Sequence, residues 1–372
     1  MRVLILDTYY PAFLRSFYDQ NADFTLRSYR EQWRTLMDQC FGTADFYSAN
    51  LNQLGHESTE VITNCEVLQR QWARENGVKL DQTSWSVGRR RGWIPWPQRA
   101  EPPDWFYAVL MAQIKQFSPD VLYVQEMNSF TPAFLREVKP YVKLIAGQIA
   151  YTMSAGAEYR EYDLILSSFP HYVSQFRRDG LTSEYLRLSF EPGVLERLEK
   201  RVIYDAVFVG SVSTEHGERI EFLEKVASCH PLDFWGHGVD TLSPNSLLRD
   251  RYHGDAWALD MYQVLSNAKI ALNNHIDTAG EFANNMRLFE ATGVGTLLIT
   301  DWKVNLHEMF ELGREVVTYS TPEECGELIK YYLDHPGERE VIARAGQRRT
   351  LREHTYNKRM QELVETLKLH LA

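Results

Sequence analysis

Short apolar runs alternate with stretches in which apolar positions recur every three or four residues, from one end of the chain to the other. Runs of the first kind read as strands buried on both faces, and stretches of the second as the helices that cover them. In the first half the strands fall at 2–7 (RVLILD), 58–62, 120–125 (DVLYVQ), 142–147 (VKLIAG), 163–167 (DLILS) and 184–188. Helices are expected near 43–54, 64–76, 104–117, 131–138 and 171–179. After the turn-prone Phe190-Glu191-Pro192-Gly193 the pattern restarts, with strands at 205–210, 232–235, 269–273, 296–300 and 315–319. Helices near 215–228, 256–267, 285–292, 322–334 and 336–347 lie between and after them. This predicts an α/β chain of two doubly wound domains facing a cleft, with ligands at the carboxyl ends of the strands. The expected bounds are 1–190 for an acceptor-side domain, 191–203 for a linker and 204–355 for a second domain. A last helix within 356–372, carrying Met360, Leu363, Val364 and Leu367, is expected to pack back on the first domain.

One stretch breaks the rhythm. Residues 85–97 (WSVGRRRGWIPWP) place three arginines among tryptophans, glycines and prolines, and read as a long loop. Such a loop grips an anionic or carbohydrate acceptor, or else is a surface insertion or an oligomer contact.

Composition narrows the function. With 372 residues, 44% of them hydrophobic and 24% charged, the chain is an ordinary globular protein of two-domain length. Fifty acidic against forty basic residues give a net charge of −10, which argues against a duplex-DNA binder. No apolar run nears the roughly 18 residues of a membrane span and no signal-peptide pattern opens the chain, so a cytoplasmic protein is expected, with peripheral membrane contact left open. Cys40, Cys65, Cys229 and Cys325 form no CxxC pair, and no Asp-x-Asp is present to hold a metal against a diphosphate. No metal site and no cofactor are expected.

The densest chemistry lies in 282–301 (FANNMRLFEATGVGTLLITD). A helix beginning near Asn284 offers free N–H groups and a partial positive charge to a pyrophosphate. Arg287 and Glu290 share a face of it, one suited to phosphate and the other to two sugar hydroxyls. The plainer reading makes Asn284 a cap and the Arg287–Glu290 pair a solvated ion pair.

Taken with the two-unit pattern, these residues resemble the glycosyltransferases of the GT-B fold, built of two Rossmann-like domains, and most closely the CgeB-type, spore maturation protein-like branch. The resemblance rests on Phe208-Val-Gly-Ser211, Tyr252-His-Gly254, 265–275 (LSNAKIALNNH), Asn285-Met-Arg-Leu-Phe-Glu290, 295–301, Ala345-Gly-Gln and His354-Thr-Tyr356. It implies metal-independent transfer of a sugar, in the manner of a hexosyltransferase of polysaccharide biosynthesis. The donor is a UDP-, GDP- or dTDP-linked sugar and the acceptor a hydroxyl of a glycan, a lipid-linked or a small molecule. Related enzymes bracket the donor with two glutamates eight positions apart. Glu290 matches the second, while the first falls on Phe282, with Glu281 one place off.

The resemblance assigns Glu290 to the ribose, and Arg287, Asn285 and Asn284 to the diphosphate or donor sugar. Arg287 would offset charge on the departing phosphate. Gly210 and Ser211 end the first strand of the second unit, where backbone N–H groups can approach a ligand, or simply form a turn. Asn273, Asn274 and His275 follow the strand 269–273 and are expected to point into the cleft, with His275 a catalytic candidate. Gly236, His237 and Gly238, and Tyr252, His253 and Gly254, are nucleobase contacts or ordinary turns. On the acceptor side strand-end position nominates Tyr9, Tyr10, Gln125, Glu126, Gln148 and Tyr151. Glu126 is the carboxylate that an inverting transfer would use as general base, whereas a retaining one would need none. Two alternatives share the architecture. A nucleotide-sugar 2-epimerase would need acids and bases around the sugar, for which Glu126, His171 and His275 are the candidates. A non-catalytic carbohydrate-binding subunit would need none.

Overall fold

The computed structural model describes residues 1–80, 85–90, 94–99, 104–154, 158–212 and 217–371. In the first half, strands β1 (Arg2–Asp7), β2 (Glu57–Ile62), β5 (Val121–Val124), β6 (Leu144–Gln148), β7 (Leu164–Ser167) and β8 (Ser183–Tyr185) form one sheet in the order β2-β1-β5-β6-β7-β8. Every pairing in it is parallel. In the second half, β9 (Tyr204–Val209), β10 (Asp233–Trp235), β11 (Ala268–Asn273), β12 (Leu297–Asp301) and β13 (Val317–Tyr319) form a second parallel sheet, ordered β10-β9-β11-β12-β13. The apolar runs thus become strands because both of their faces are covered. Val3 and Ile5 of β1 turn to one core and Leu4 and Leu6 to the other, all fully buried.

In each sheet the strand order reverses beside the first strand, at β1/β5 and at β9/β11, which opens a crevice above the carboxyl ends. The flanking helices of the second half are α8 (Gly217–Cys229), α9 (Ala258–Ser266), α10 (Met286–Gly293), α11 (Pro322–Asp334) and α12 (Pro336–Glu353), the last running six residues past the expected end at 347. Of the first half, α3 (Phe46–Gln53) matters most for assembly, because α13 (Tyr356–Leu371) returns to lie on it. The Tyr356 ring stands 5.2 Å from that of Phe46 and 5.5 Å from that of Tyr47.

The chain passes between the two sheets twice, and the two passages are bonded together. Phe190 N–H donates to His354 O at 2.9 Å, and Tyr356 N–H donates to Phe190 O at 3.0 Å. Gly293, at the end of α10, lies so close beneath the Phe190 ring that a Cβ there would come within 2.5 Å of it. The core around Phe190 is accordingly continuous from β1 to Leu288 and Phe289 of α10.

Three elements depart from the sequence expectation. Helices α1 (Pro11–Gln20) and α2 (Tyr29–Met37) fill what the periodicity left blank, burying Phe13, Phe17 and Leu36 in a satellite cluster. The start of α2 was written in the chain as a capping box, with Ser28 and Glu31 bonding each other's backbone N–H. The expected loop at 85–97 is instead an antiparallel hairpin of β3 (Trp85–Arg90) and β4 (Ile94–Arg99), paired only with each other. Prolines at 95 and 97 are tolerated because, among the described residues, no third strand pairs with the hairpin to demand their missing N–H. Its side chains, and residues 91–93, lie outside the described residues, and with them the acceptor role read for the arginines.

Candidate functional site between the two sheets

The helix expected near Asn284 starts one step later. Asn285 is the cap, its side chain accepting from Arg287 N–H at 2.8 Å, and Met286 is the first helical residue. Asn284 is half-buried just outside. The Arg287 guanidinium folds inward, donating from Nη2 to Val209 O at the end of β9 (3.0 Å) and standing 2.9 Å from Glu290 Oε2 through Nη1. That Nη1 is buried and lacks the alignment of a hydrogen bond, so the pair leaves donor capacity uncommitted. Both side chains are nearly buried, at 12% and 6% exposure, which rules out a solvated surface ion pair. Burial pushes the Glu290 carboxyl up, and Arg287 pulls it only partly back.

Around this helix start the remaining C-terminal residues are spent on one another. Asn285 Nδ2 donates to Asn273 Oδ1 (2.9 Å), and Asn273 Nδ2 to Thr300 Oγ1 (3.0 Å). His275 has no exposed side-chain surface, and its Nδ1 lies 2.6 Å from Asp301 Oδ1. Burial pushes Asp301 up, but the bond and charge of His275, with Lys303, outweigh it and hold the carboxyl below its usual range. Asn274 receives Arg219, whose Nη2 donates to Asn274 O at 3.1 Å while Nη1 donates to Ser211 O at 3.2 Å. Asn273 and His275 were expected to point into the cleft; both are sealed beneath the helix start. The sequence reading passed over Arg219. Its signal was a basic residue in the first turn of the helix that follows Gly210-Ser211.

Gly210 and Gly236 are close-packing positions. Gly210 N–H donates to Trp235 O, and a Cβ on Gly236, whose φ is +155°, would fall 1.9 Å from Gly210 O. His253 is committed at the sheet edge: its ring stacks on Trp235 at 4.3 Å and its Nε2 lies 2.7 Å from Asp233 at the start of β10, the end remote from the crevice. A nucleobase contact from that ring is therefore not in place. His171, proposed for an epimerase, stacks on Phe282 at 5.4 Å.

The acceptor-side residues converge on a cavity of about 370 Å³ that Glu290, Met286 and Tyr262 close from the opposite half. Asp7, Tyr9, Tyr10, Gln125, Glu126, Gln148 and Tyr151 all reach it. Tyr151 Oη donates to Glu126 Oε1 at 2.6 Å, as does Asn128 N–H at 3.1 Å; burial pushes Glu126 up against both. Gln148 accepts from Tyr47 (2.9 Å) and Tyr123 (2.6 Å), which fixes it as a structural amide in the wall. Trp257, unremarked in the sequence, comes from the far half to meet Tyr10 at 5.7 Å and Phe41 at 6.0 Å. Asp7 was missed as well, read only as the last letter of a strand.

Among the described residues no group of His, Cys, Asp and Glu is placed to hold a metal ion, and no helix is long and apolar enough to cross a membrane.

Residues 218–365 match a family model described as "Glycosyl transferase-like". No curated protein matches the sequence. Among solved structures, Anabaena HepE in complex with UDP-glucose superposes with a TM-score of 0.60 at 10% identity, covering 99% of each chain. Sucrose-phosphate synthase from Thermosynechococcus elongatus gives 0.59 at 10% identity over 99% of this chain and 98% of that one. AviGT4, a glycosyltransferase involved in avilamycin A biosynthesis, gives 0.59 at 14% identity over 100% and 98%. The chain has the GT-B fold of glycosyltransferases, as the paired doubly wound pattern and the motifs together led one to expect.

Proposed function

We propose that the chain is a metal-independent glycosyltransferase that moves a sugar, a hexose by preference, from a nucleoside diphosphate to a hydroxyl acceptor. In this reading it is a cytoplasmic enzyme of the CgeB-type branch, serving polysaccharide biosynthesis. Residues 204–355 form its donor domain, 1–190 its acceptor domain and 191–203 the linker between them. Support comes from the family match over 218–365 and from the UDP-glucose held by HepE, which makes UDP the first nucleotide to try. The observation that carries the reading is Glu290: a carboxylate nearly buried beside an arginine at a helix start, lining a cavity to which the other half contributes most of the wall.

The roles follow from charge. A diphosphate at the start of α10 meets the N-terminal end of the helix dipole, the amides of Asn284 and Asn285, and the cations Arg287 and Arg219. Glu290 accepts from the ribose hydroxyls. As the glycosidic bond breaks, negative charge grows on the leaving phosphate, and Arg287 stabilises it more than the ground state. Gly210 and Ser211 bring backbone close to that charge, while Asn273, Asn274 and His275 hold the helix start from beneath. Glu126 and Tyr151 receive the acceptor.

Calorimetry with UDP, GDP and dTDP tests the reading. At 100 times its dissociation constant the right nucleotide stabilises the native state by about 2.7 kcal/mol. Glu290→Ala is expected to weaken that binding at least about tenfold, since hydrogen bonds to a charged group are worth about 1.5–3 kcal/mol each. Unchanged affinity would remove Glu290 from the donor site.

A further inference from the structure

We propose that the acceptor carries a protonated amine beside the hydroxyl that receives the sugar, and that the cavity between the two halves selects it by charge. This rests on the transferase reading and adds the chemical class of the acceptor.

The cavity of about 370 Å³ is lined by three carboxylates, Asp7, Glu126 and Glu290, and among the described residues by no lysine, arginine or histidine. Glu290 has a cation in Arg287, 2.9 Å away. Among the described residues Asp7 and Glu126 have none. Asp7 accepts from Thr8 N–H at 2.7 Å and faces Thr43 Oγ1 at 3.3 Å, while Tyr151 and Asn128 both donate to Glu126 Oε1 and leave its Oε2 open. Each of these neighbours is neutral. Asp301, at the end of β12, shows the usual provision, with His275 at 2.6 Å and Lys303 at 3.4 Å. Buried charge is normally met by an opposite charge, so two anions that face one cavity without a cation leave it to the ligand to bring one.

Gln148 supplies an independent constraint. It ends β6, is only 9% exposed and lines the same cavity. Its Oε1 accepts from Tyr47 at 2.9 Å and from Tyr123 at 2.6 Å, so the two hydroxyls hold the amide with Nε2 turned away from them. Nothing among the described residues accepts from that Nε2. A buried donor facing a cavity calls for an oxygen in the ligand, which an ammonium cannot offer. The ligand therefore carries both, a cation for Asp7 and Glu126 and an oxygen for Gln148. An amino sugar has the two on adjacent carbons.

The walls suit an organic cation. The Tyr10 ring lies 5.6 Å from that of Phe41 and 5.7 Å from that of Trp257, and all three residues line the cavity beside the carboxylates. Aromatic faces attract ammonium groups. Burial pushes the Asp7 carboxyl up to about 7, the Thr8 and Thr43 contacts hold it back, and the charge of Glu126 pushes it further. That is the mark of an anion without a counter-charge, and a bound ammonium removes it. Besides the three carboxyls, the titratable groups of the lining are Tyr9, Tyr10, Cys40, Tyr151 and Tyr262, and none of them can supply a positive charge. Held as an ammonium, the amine has no lone pair, so it orients the acceptor and the nucleophile remains a hydroxyl.

The test uses the full chain, alone and loaded with whichever of UDP, GDP and dTDP stabilises it most. Glucosamine and galactosamine are the probes, and glucose, N-acetylglucosamine and glucuronate are the controls that replace, mask or reverse the charge. By calorimetry near neutral pH the amino sugars are expected to bind at least about tenfold tighter than glucose, with glucuronate the weakest, because a hydrogen bond to a charged group outweighs one to a neutral group by that order. With the matching nucleotide sugar, kcat/KM should follow the same ranking. Glu126→Gln keeps the shape of the side chain and removes its charge, and is expected to shrink the preference for glucosamine over glucose to within about threefold; Asp7→Asn should do the same. The ranking on the parent needs no variant, so a substitution that fails to fold leaves the test intact. Glucose or N-acetylglucosamine binding as tightly as glucosamine would overturn the proposal, as would a preference that survives in both variants. Failure of every nucleotide to bind would instead bring down the transferase reading, while the selection by charge is read separately on the nucleotide-free chain.

Discussion

At the carboxyl ends of β9 and β11 the polar side chains are spent on each other: Asn285 on Asn273, Asn273 on Thr300, His275 on Asp301, Arg219 on Asn274. At the carboxyl ends of β1 and β5, in a crevice of the same plan, they face a cavity, and Asp7 and Glu126 retain lone pairs toward it. The first arrangement is a buried network of mostly made bonds, which restricts its geometry while leaving His275 Nε2 and Arg287 Nη1 without a hydrogen-bond partner. The second, in the proposed reading, is where an acceptor hydroxyl is received. One fold thus carries a fixed half and a permissive half, and the difference lies in side chains rather than in strand order.

The sharpest way to break this contrast is through the backbone. Gly236→Ala drives a methyl into Gly210 O, which sits 1.9 Å from where the Cβ would be, and is expected to cost more than about 4 kcal/mol in chemical denaturation. Gly42→Ala, in the wall of the acceptor cavity, meets nothing within 4 Å and pays only for its φ of +57°, about 1–2 kcal/mol. Equal losses would erase the distinction. Removing Arg287 as Arg287→Met strands Glu290 in a buried site, at an expected cost of about 3–5 kcal/mol near neutral pH, less in acid where the carboxyl can take a proton.

Two sets of carboxyls should also answer pH with opposite signs, Glu60, Asp7 and Glu290 in one and Asp301 in the other. Glu60, buried in β2 with its carboxyl bonded to Ser48, is pushed by burial from 4.5 to about 8, and Asp7 from 3.8 to about 7. The native state then holds protons that the unfolded chain has lost. Stability from these groups is present below their unfolded values and drains as pH rises through the folded ones, by at most about 1.4 kcal/mol per unit and group. Asp301 runs the other way. Held below 3.8, it stabilises the fold above that value and loses its contribution as pH falls through its folded value. Thermal midpoints from pH 3 to pH 9 should show Glu60→Gln flattening the alkaline side and Asp301→Asn the acid side; the reverse assignment would sink the account. The smallest effect is expected at Tyr10, a residue 60% exposed. Tyr10→Phe should move stability by less than about 0.5 kcal/mol, as surface changes do, in the same denaturation experiment.

Much of this fold could be read in advance because strands buried on both faces write themselves as unbroken apolar runs, as at 2–7 and 121–124. Finding that pattern twice predicted the two doubly wound domains, and the ordered motifs, Asn285 to Glu290 among them, carried the resemblance to GT-B enzymes. What escaped was whatever depends on neighbours distant in the chain. Helices α1 and α2 bury few residues against a satellite cluster, so their periodicity is thin. The hairpin at 85–99 hid behind prolines that only an unpaired edge forgives. In the site, the Asn285-to-Glu290 stretch stood out because its chemistry is compressed into two helical turns. Asp7 did not, since Thr43, whose hydroxyl faces its carboxyl, is 36 residues away. His275 misled for a related reason: a strand-end position says that a side chain is near the crevice, not which way the next turn of chain folds over it.

The outgoing segment at Phe190 and the returning one at Thr355 lie side by side, bonded as a short parallel pair. The halves are therefore joined by a two-ply strap at one edge rather than by a pair of separate tethers. Any swing of one sheet against the other pivots there, where the motion breaks no hydrogen bond of either sheet. Trp257 and Tyr10 meet across the cleft through their rings, and beside them Leu259 N–H donates to Gln39 O at 3.0 Å, so that edge is held by a backbone hydrogen bond as well as by ring contacts. Opening it would cost that bond and an aromatic contact, while the strap keeps the two halves in register.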